Sequence, residues 1–138
     1  MGLEQVRWIE VPHITSGGAT LSFIEAERHV PFDIRRVYYL YHIQDGVQRG
    51  GHAHNDHEEL ILPLAGSFDM RLDDGAESRT YHLDSPWRGL FIPTMVWHEL
   101  LNFSPGAVAM VCASHYFDHE DYYRTYDAFL GALKKTNP

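Results

Sequence analysis

The chain has 138 residues, enough for one domain with one sizeable core. Apolar residues make up 44% and charged residues 22%, with no low-complexity tract and no apolar run near the length of a membrane span, which argues against disorder and membrane insertion. A formal net charge of -8 argues against a general nucleic-acid binder, and the opening "MGLEQVRWIE" lacks a signal-peptide apolar stretch, so a cytoplasmic protein is expected.

From Trp8 to about Ala113 short apolar segments alternate with turn residues and show no helical period, which predicts an all-β fold. The candidate strands in chain order are "ATLSFIEA", "RRVYYLYHI", "HEELILPLAG", "FDMRLDD", "RTYHLD", "GLFIPT", "WHELLNF" and "AVAMVCAS". Between them, "QDG" and "DDG" favour tight turns with positive φ. In "FDMRLDD" the alternation puts Phe68, Met70 and Leu72 on one face and Asp69, Arg71 and Asp73 on the other. After Ser114 the pattern changes: "DHEDYYRTYDAFLGALKK" spaces Tyr122, Tyr126, Phe129, Leu130 and Leu133 near helical intervals, with acids at its start and lysines at its end. The expectation is a single domain over 1–138, with β-structure over about 8–114 and a short C-terminal helix over about 119–135. The single cysteine, Cys112, sits in an apolar run and reads as an inert buried thiol.

Ten histidines is a high count for this length, and "RGGHAHNDHEE" places two of them one residue apart. On a strand, His52 and His54 project from the same face with Ala53 behind them, so they can converge on one ligand. Gly50 and Gly51 permit a bulge that re-aims the first of the pair. Glu59 and Gly66 follow at longer spacings, and "PTMVWHELLN" adds Pro93, His98 and Asn102. This arrangement resembles the two motifs of the cupin superfamily, which implies a jelly-roll β-barrel. Met95 departs from the second motif, where glycine is usual. Three imidazoles and a carboxylate, His52, His54, His98 and Glu59, would suit a divalent transition metal.

A longer match carries more detail. "GATLSFIEAERHVPFDIRRVYYLYHI", "RGGHAH", "LAGSFDMRLDDG", "HLDSPWRGLFIPTMVWHELLNFS" and "DYYRTYDAFL" together resemble the sugar 3,4-ketoisomerases that act on TDP-4-keto-6-deoxyglucose, over roughly residues 17 to 130. The resemblance implies a homodimeric cupin that isomerises a TDP-linked keto-deoxysugar without a metal. It assigns His52 and His54 to proton transfer, places a tyrosine of "RVYY", matched to Tyr39, in the same pocket, and matches Arg49 to the arginine before the histidine pair. Arg49 could hold a pyrophosphate by paired hydrogen bonds. Of the aromatic residues Tyr38, Tyr39, Tyr41, Trp87 and Trp97, one could stack on thymine, with Tyr41 and Trp97 assigned to substrate binding, and His98 could line the pocket or support the pair from behind.

Two positions depart from that family: Asn55 stands where a basic residue is usual, and Glu59 where a glutamine is usual. A glutamate buried beside histidines must pair with an imidazolium, take up a proton or meet a metal. Two alternatives therefore stand beside the metal-free isomerase: a metallocupin using His52, His54, Glu59 and His98, and a non-catalytic module that binds a nucleotide sugar.

Overall fold

The computed structural model describes residues 2–136. Its strands are β1 (Arg7–Glu10), β2 (His13–Ser16), β3 (Ala19–Ser22), β4 (Arg36–Leu40), β5 (Arg49–His54) and β6 (Glu59–Ala65). They continue with β7 (Phe68–Asp73), β8 (Ser78–Leu83), β9 (Arg88–Ile92), β10 (Trp97–Leu101), β11 (Val108–Ala113) and β12 (Tyr122–Tyr123), and helix α1 (Tyr126–Thr136) follows. Two five-stranded antiparallel sheets form, ordered β1-β9-β6-β11-β4 and β12-β5-β10-β7-β8, while β2 and β3 pair as a separate hairpin. This is the expected all-β jelly roll, in the form of two facing sheets.

Alternation along the strands decides what lies between the sheets. Ile61, Leu90, Ile92, Ala109 and Val111 from the first sheet meet Phe68, Met70, Leu72, Leu83 and Leu100 from the second, and all are buried. Each large aliphatic or aromatic side chain so enclosed contributes about 1.5–3 kcal/mol, so this layer is the main source of stability. The "DDG" turn joins β7 to β8 as its residues dictate: Gly75 takes φ 92, and Asp74 Oδ1 accepts the N–H groups of Ala76 and Glu77.

The outer faces are covered differently. "FIEA" was expected to continue the strand begun at Ala19, but β3 ends at Ser22. The chain from Phe23 instead crosses the first sheet, where Val30 and Phe32 pack with Ile9, Leu60, Leu62, Phe91 and Cys112. The buried Cys112 is as expected, its thiol pushed up to about 11 by burial. On the second sheet, α1 seats Phe129 against Ala53 and Trp97, with Tyr126, Leu130 and Leu133 beside them.

That helix starts later than its acidic leader suggests. His119–Asp121 form a 3-10 turn, and Tyr122 and Tyr123 pair with His54 and Ala53 on β5. Thr125 then caps the helix, its Oγ1 accepting from the Ala128 N–H at 3.1 Å. The departure at Met95 also has a visible cost: its φ is 59, in the left-handed region glycine enters freely, and its N–H donates to the His54 carbonyl at 2.8 Å. Among the described residues no helix is long and apolar enough to cross a membrane.

Candidate active site

Strand β5 carries its two histidines into the space between the sheets because of the glycines before them. Opposite β10, His52 pairs with His98 and Gly50 with Glu99, so Gly51 is the extra residue of a bulge. Both glycines have positive φ, 83 and 76. A Cβ on Gly50 would lie 2.9 Å from the His98 carbonyl oxygen, so only glycine fits there without displacement. The bulge brings three imidazoles together, with ring centroids 4.9 Å apart for His52 and His54, 4.6 Å for His52 and His98, and 5.3 Å for His54 and His98.

Beneath them lies Glu59, the first residue of β6 and 1% exposed. Its Oε1 stands 3.6 Å from Nε2 of both His54 and His98. Its Oε2 accepts the Tyr38 hydroxyl at 2.6 Å and faces His57 Nε2 at 3.5 Å. His57 is anchored in turn by Asp121, with Nδ1 to Oδ2 at 2.5 Å. His98 gives its Nδ1 hydrogen to the Val96 carbonyl at 3.1 Å, which leaves Nε2 bare toward Glu59. Tyr122, brought in by its pairing with β5, sets its ring 4.5 Å from that of His54 and 5.0 Å from that of His52.

Burial divides the charges. It lowers His52 to about 3, helped by the neighbouring His98 and His54, and lowers His54 to about 4 against the pull of Glu59. His98 is lowered by the same cause. Burial alone would raise Glu59, yet the close approach of His54 and His57 and the charge of the nearby histidines hold it well below the usual carboxylate range. Desolvation, then the charge and hydrogen bond of Glu59, keep the Tyr38 phenol proton in place far above the ordinary tyrosine value. At neutral pH the site therefore presents neutral imidazoles, able to accept a proton, beside a carboxylate that stabilises the cation so formed.

A small cavity of about 70 Å³ opens on this group, lined by Tyr38, Arg49, His52, Glu59 and His98 among apolar neighbours. The structure thus brings together five of the residues expected from sequence: His52, His54, Glu59, His98 and Arg49. Three others lie elsewhere. Tyr39, on the face of β4 opposite Tyr38, is 60% exposed and Tyr41, just past the strand, is 57% exposed, so the tyrosine that shares the cavity with the histidines is Tyr38. The segment "RVYYLY" alternates aromatic and aliphatic residues on both faces, and only the pairing of β4 with β11 decides which face turns inward. Trp97 faces α1, its ring 5.6 Å from Tyr126, because His98 beside it takes the inward position. Sequence reading also missed Tyr38, His57, Asp121 and Tyr122 as members. A trace of His57 was present in the third histidine of "HAHNDHEE", two residues before Glu59, but nothing local marks Asp121, which comes from 64 residues away.

The family described as "FdtA: WxcM-like, C-terminal" matches residues 4–134. The chain belongs to this family. One relative, the TDP-4-oxo-6-deoxy-alpha-D-glucose-3,4-oxoisomerase of Aneurinibacillus thermoaerophilus, is 40% identical over 129 residues, covering 94% of this chain and 93% of the relative. The sugar 3,4-ketoisomerase of Thermoanaerobacterium thermosaccharolyticum, solved in complex with TDP, has a TM-score of 0.93 at 35% identity and 99% coverage of both chains. A histidine-to-asparagine variant of that enzyme, solved with TDP-4-keto-6-deoxyglucose, has a TM-score of 0.93 at 35% identity over 98% of each chain.

Proposed function

We propose that this FdtA-family chain is a TDP-sugar 3,4-ketoisomerase, converting TDP-4-keto-6-deoxyglucose to a TDP-3-keto-6-deoxyhexose by proton transfer through an enediol. The observation that carries the reading is the pair of neutral imidazoles, His52 and His98, lining a cavity with Glu59, with His54 against the same carboxylate, in a chain so similar to a 3,4-oxoisomerase. Moving a ketone from C4 to C3 removes the proton on C3 and delivers one to C4, with no net redox change. His54 is assigned as the base and His52 as its partner. Once His54 carries the C3 proton, Glu59 Oε1 at 3.6 Å stabilises its charge. Tyr38 has one hydrogen and gives it to Glu59, so the donor to the enediolate is a histidine and Tyr38 acts through Glu59. Arg49, exposed at the cavity, is placed to meet the pyrophosphate.

No cofactor is assigned in this reading. A second reading, a divalent transition metal held by His52, His54, His98 and Glu59, draws support from one observation. Ligand atoms of the three histidines lie within 4.8 Å of one another, and His52 Nε2, His54 Nε2 and Glu59 Oε1 are buried without hydrogen-bond partners. A metal there would act as a Lewis acid on the ketone oxygen.

The protein works as a homodimer. Supporting this, the β2–β3 hairpin pairs with no other strand among the described residues, and its cross-strand partners Ile14 and Leu21 are 55% and 60% exposed.

The test is to strip the protein with a chelator, add TDP-4-keto-6-deoxyglucose in heavy water and follow the sugar ring by proton NMR. A 3-keto sugar with deuterium at C4 is expected. Turnover only after a divalent metal is restored would favour the metal reading. TDP binding without turnover in either state would leave a binding module. His54→Asn is expected to lower kcat by about 10²–10⁴-fold while TDP binding persists.

A further inference from the structure

Two buried polar residues have no part in the isomerisation described above. His57 lies in the turn between β5 and β6 with its side chain 0% exposed, and Asp121 ends the 3-10 turn before β12, 6% exposed. Neither lines the cavity that Tyr38, His52, Glu59 and His98 share. They are nonetheless joined to it in series. Asp121 is itself held, because its Oδ1 accepts the Asp56 backbone N–H at 2.7 Å. Its Oδ2 accepts from His57 Nδ1, and a carboxylate can only accept, so the hydrogen on that side of the ring is fixed. The ring is thereby turned so that Nε2 faces Glu59 Oε2 at 3.5 Å.

Glu59 has two oxygens in unlike surroundings. Oε2 is held by the Tyr38 hydroxyl and approached by His57, whereas Oε1 has no hydrogen-bond partner and stands 3.6 Å from both His54 and His98. Clamping Oε2 sets the plane of the carboxylate and thus where Oε1 points. His57 also packs directly on the base, with ring centroids of His54 and His57 3.5 Å apart. One side chain therefore touches both the ring that takes the proton and the carboxylate that stabilises the product of that step.

We propose that His57, anchored by Asp121, is a positioning residue for the proton transfer: it holds Glu59 Oε1 between His54 and His98 and sets the angle of the His54 ring. The inference rests on the isomerase reading above. Its physical basis is that proton transfer needs near-contact geometry, where a displacement of about 1 Å costs on the order of a hundredfold in rate.

Two substitutions separate the two ends of the ring. In His57→Asn the amide sits where Nδ1 was, keeps Asp121 and loses Glu59. In His57→Gln the longer amide reaches the place of Nε2, keeps the contact with Glu59 and loses Asp121. With TDP-4-keto-6-deoxyglucose, His57→Asn is expected to lower kcat roughly a hundredfold with KM within about twofold, and His57→Gln to retain clearly more activity than His57→Asn. Equal kcat values in the two variants, or a KM that moves with kcat, would overturn the proposal, since a filler of space has no preference for Glu59.

Where both His57 variants fail to fold, Asp121→Asn decides. The Asp56 N–H keeps the amide oxygen at the Oδ1 position, so the amide nitrogen faces His57 and forces the other tautomer without a change in volume. That tautomer puts the ring hydrogen on Nε2, toward Glu59 Oε2, so a kcat that departs from the wild-type value at unchanged KM and melting temperature supports the proposal, and a wild-type kcat overturns it. Failure of the wild-type protein to turn over the sugar would instead sink the isomerase reading, and the proposal with it.

Discussion

Burial acts in opposite directions on the acid and the bases of this site, and their mutual contact decides the outcome. An imidazole out of water loses its proton, and a carboxylate out of water gains one. Here Glu59 receives a 2.6 Å bond from Tyr38 and faces imidazoles, so it stays ionised while His52, His54 and His98 stay neutral. The adjacent tyrosines make a direct test, because they share chemistry and differ only in the face they occupy. Tyr38→Phe removes a donor to a buried carboxylate and is expected to lower kcat by on the order of tenfold or more. Tyr39→Phe, at a side chain 60% exposed, is expected to leave kcat within about twofold in a one-chain site. Steady-state kinetics on the two variants checks both, and the reverse order would place the working tyrosine on the outer face. The histidine pair was legible from the strand period, and Glu59 from the resemblance to the cupin motifs. The choice between Tyr38 and Tyr39 was not, because both faces of "RVYYLY" are equally suited to burial.

At the scale of elements, the β2–β3 hairpin is the piece the single chain leaves least explained. Its four-residue strands are exposed throughout, and Ile14 and Leu21 sit opposite each other on one face. An isolated two-stranded hairpin is marginal in water, so a surface that covers this face would stabilise it. A second copy of the chain is the proposed cover. Leu21→Asp, which adds a charge where an apolar contact is needed, is expected to shift the protein from dimer to monomer in light scattering coupled to gel filtration. A wild-type protein that runs as a monomer would remove this role from the hairpin. The opposite case is β5, whose position is fully accounted for: the bulge at Gly51 aims His52, and α1 holds Ala53 from behind. The helix itself was legible from the spacing of Phe129, Leu130 and Leu133, but its start was not. Tyr122 and Tyr123 fit a helical stripe as well as a strand, and a free edge on β5 claims them first.

For the whole molecule, the neutral histidines tie stability to pH. An unfolded histidine titrates near 6.5, whereas folded His54 titrates at about 4 and His52 at about 3. Between those values the unfolded chain binds more protons than the folded one, so stability falls as pH drops from about 6.5 toward 4, by up to about 1.4 kcal/mol per pH unit for His54. Glu59, held low, acts in the same sense only below the ordinary carboxylate range. The melting temperature is expected to decline over that window, and less steeply in His54→Gln. A flat profile in the wild-type chain would show the histidines to be accessible to protons in the folded state. The sequence by itself determined the all-β class, the inward faces of strands such as "FDMRLDD" and the convergence of His52 and His54. Each follows from the two-residue period of a strand and from turn residues, which act over a few positions. Only the tertiary structure decided that Tyr38 faces inward, that Trp97 lies under α1, and that His57 and Asp121 join the site from 64 residues apart. Those outcomes depend on which strands pair and which sheet edge stays free, contacts between distant parts of the chain that local pattern does not encode.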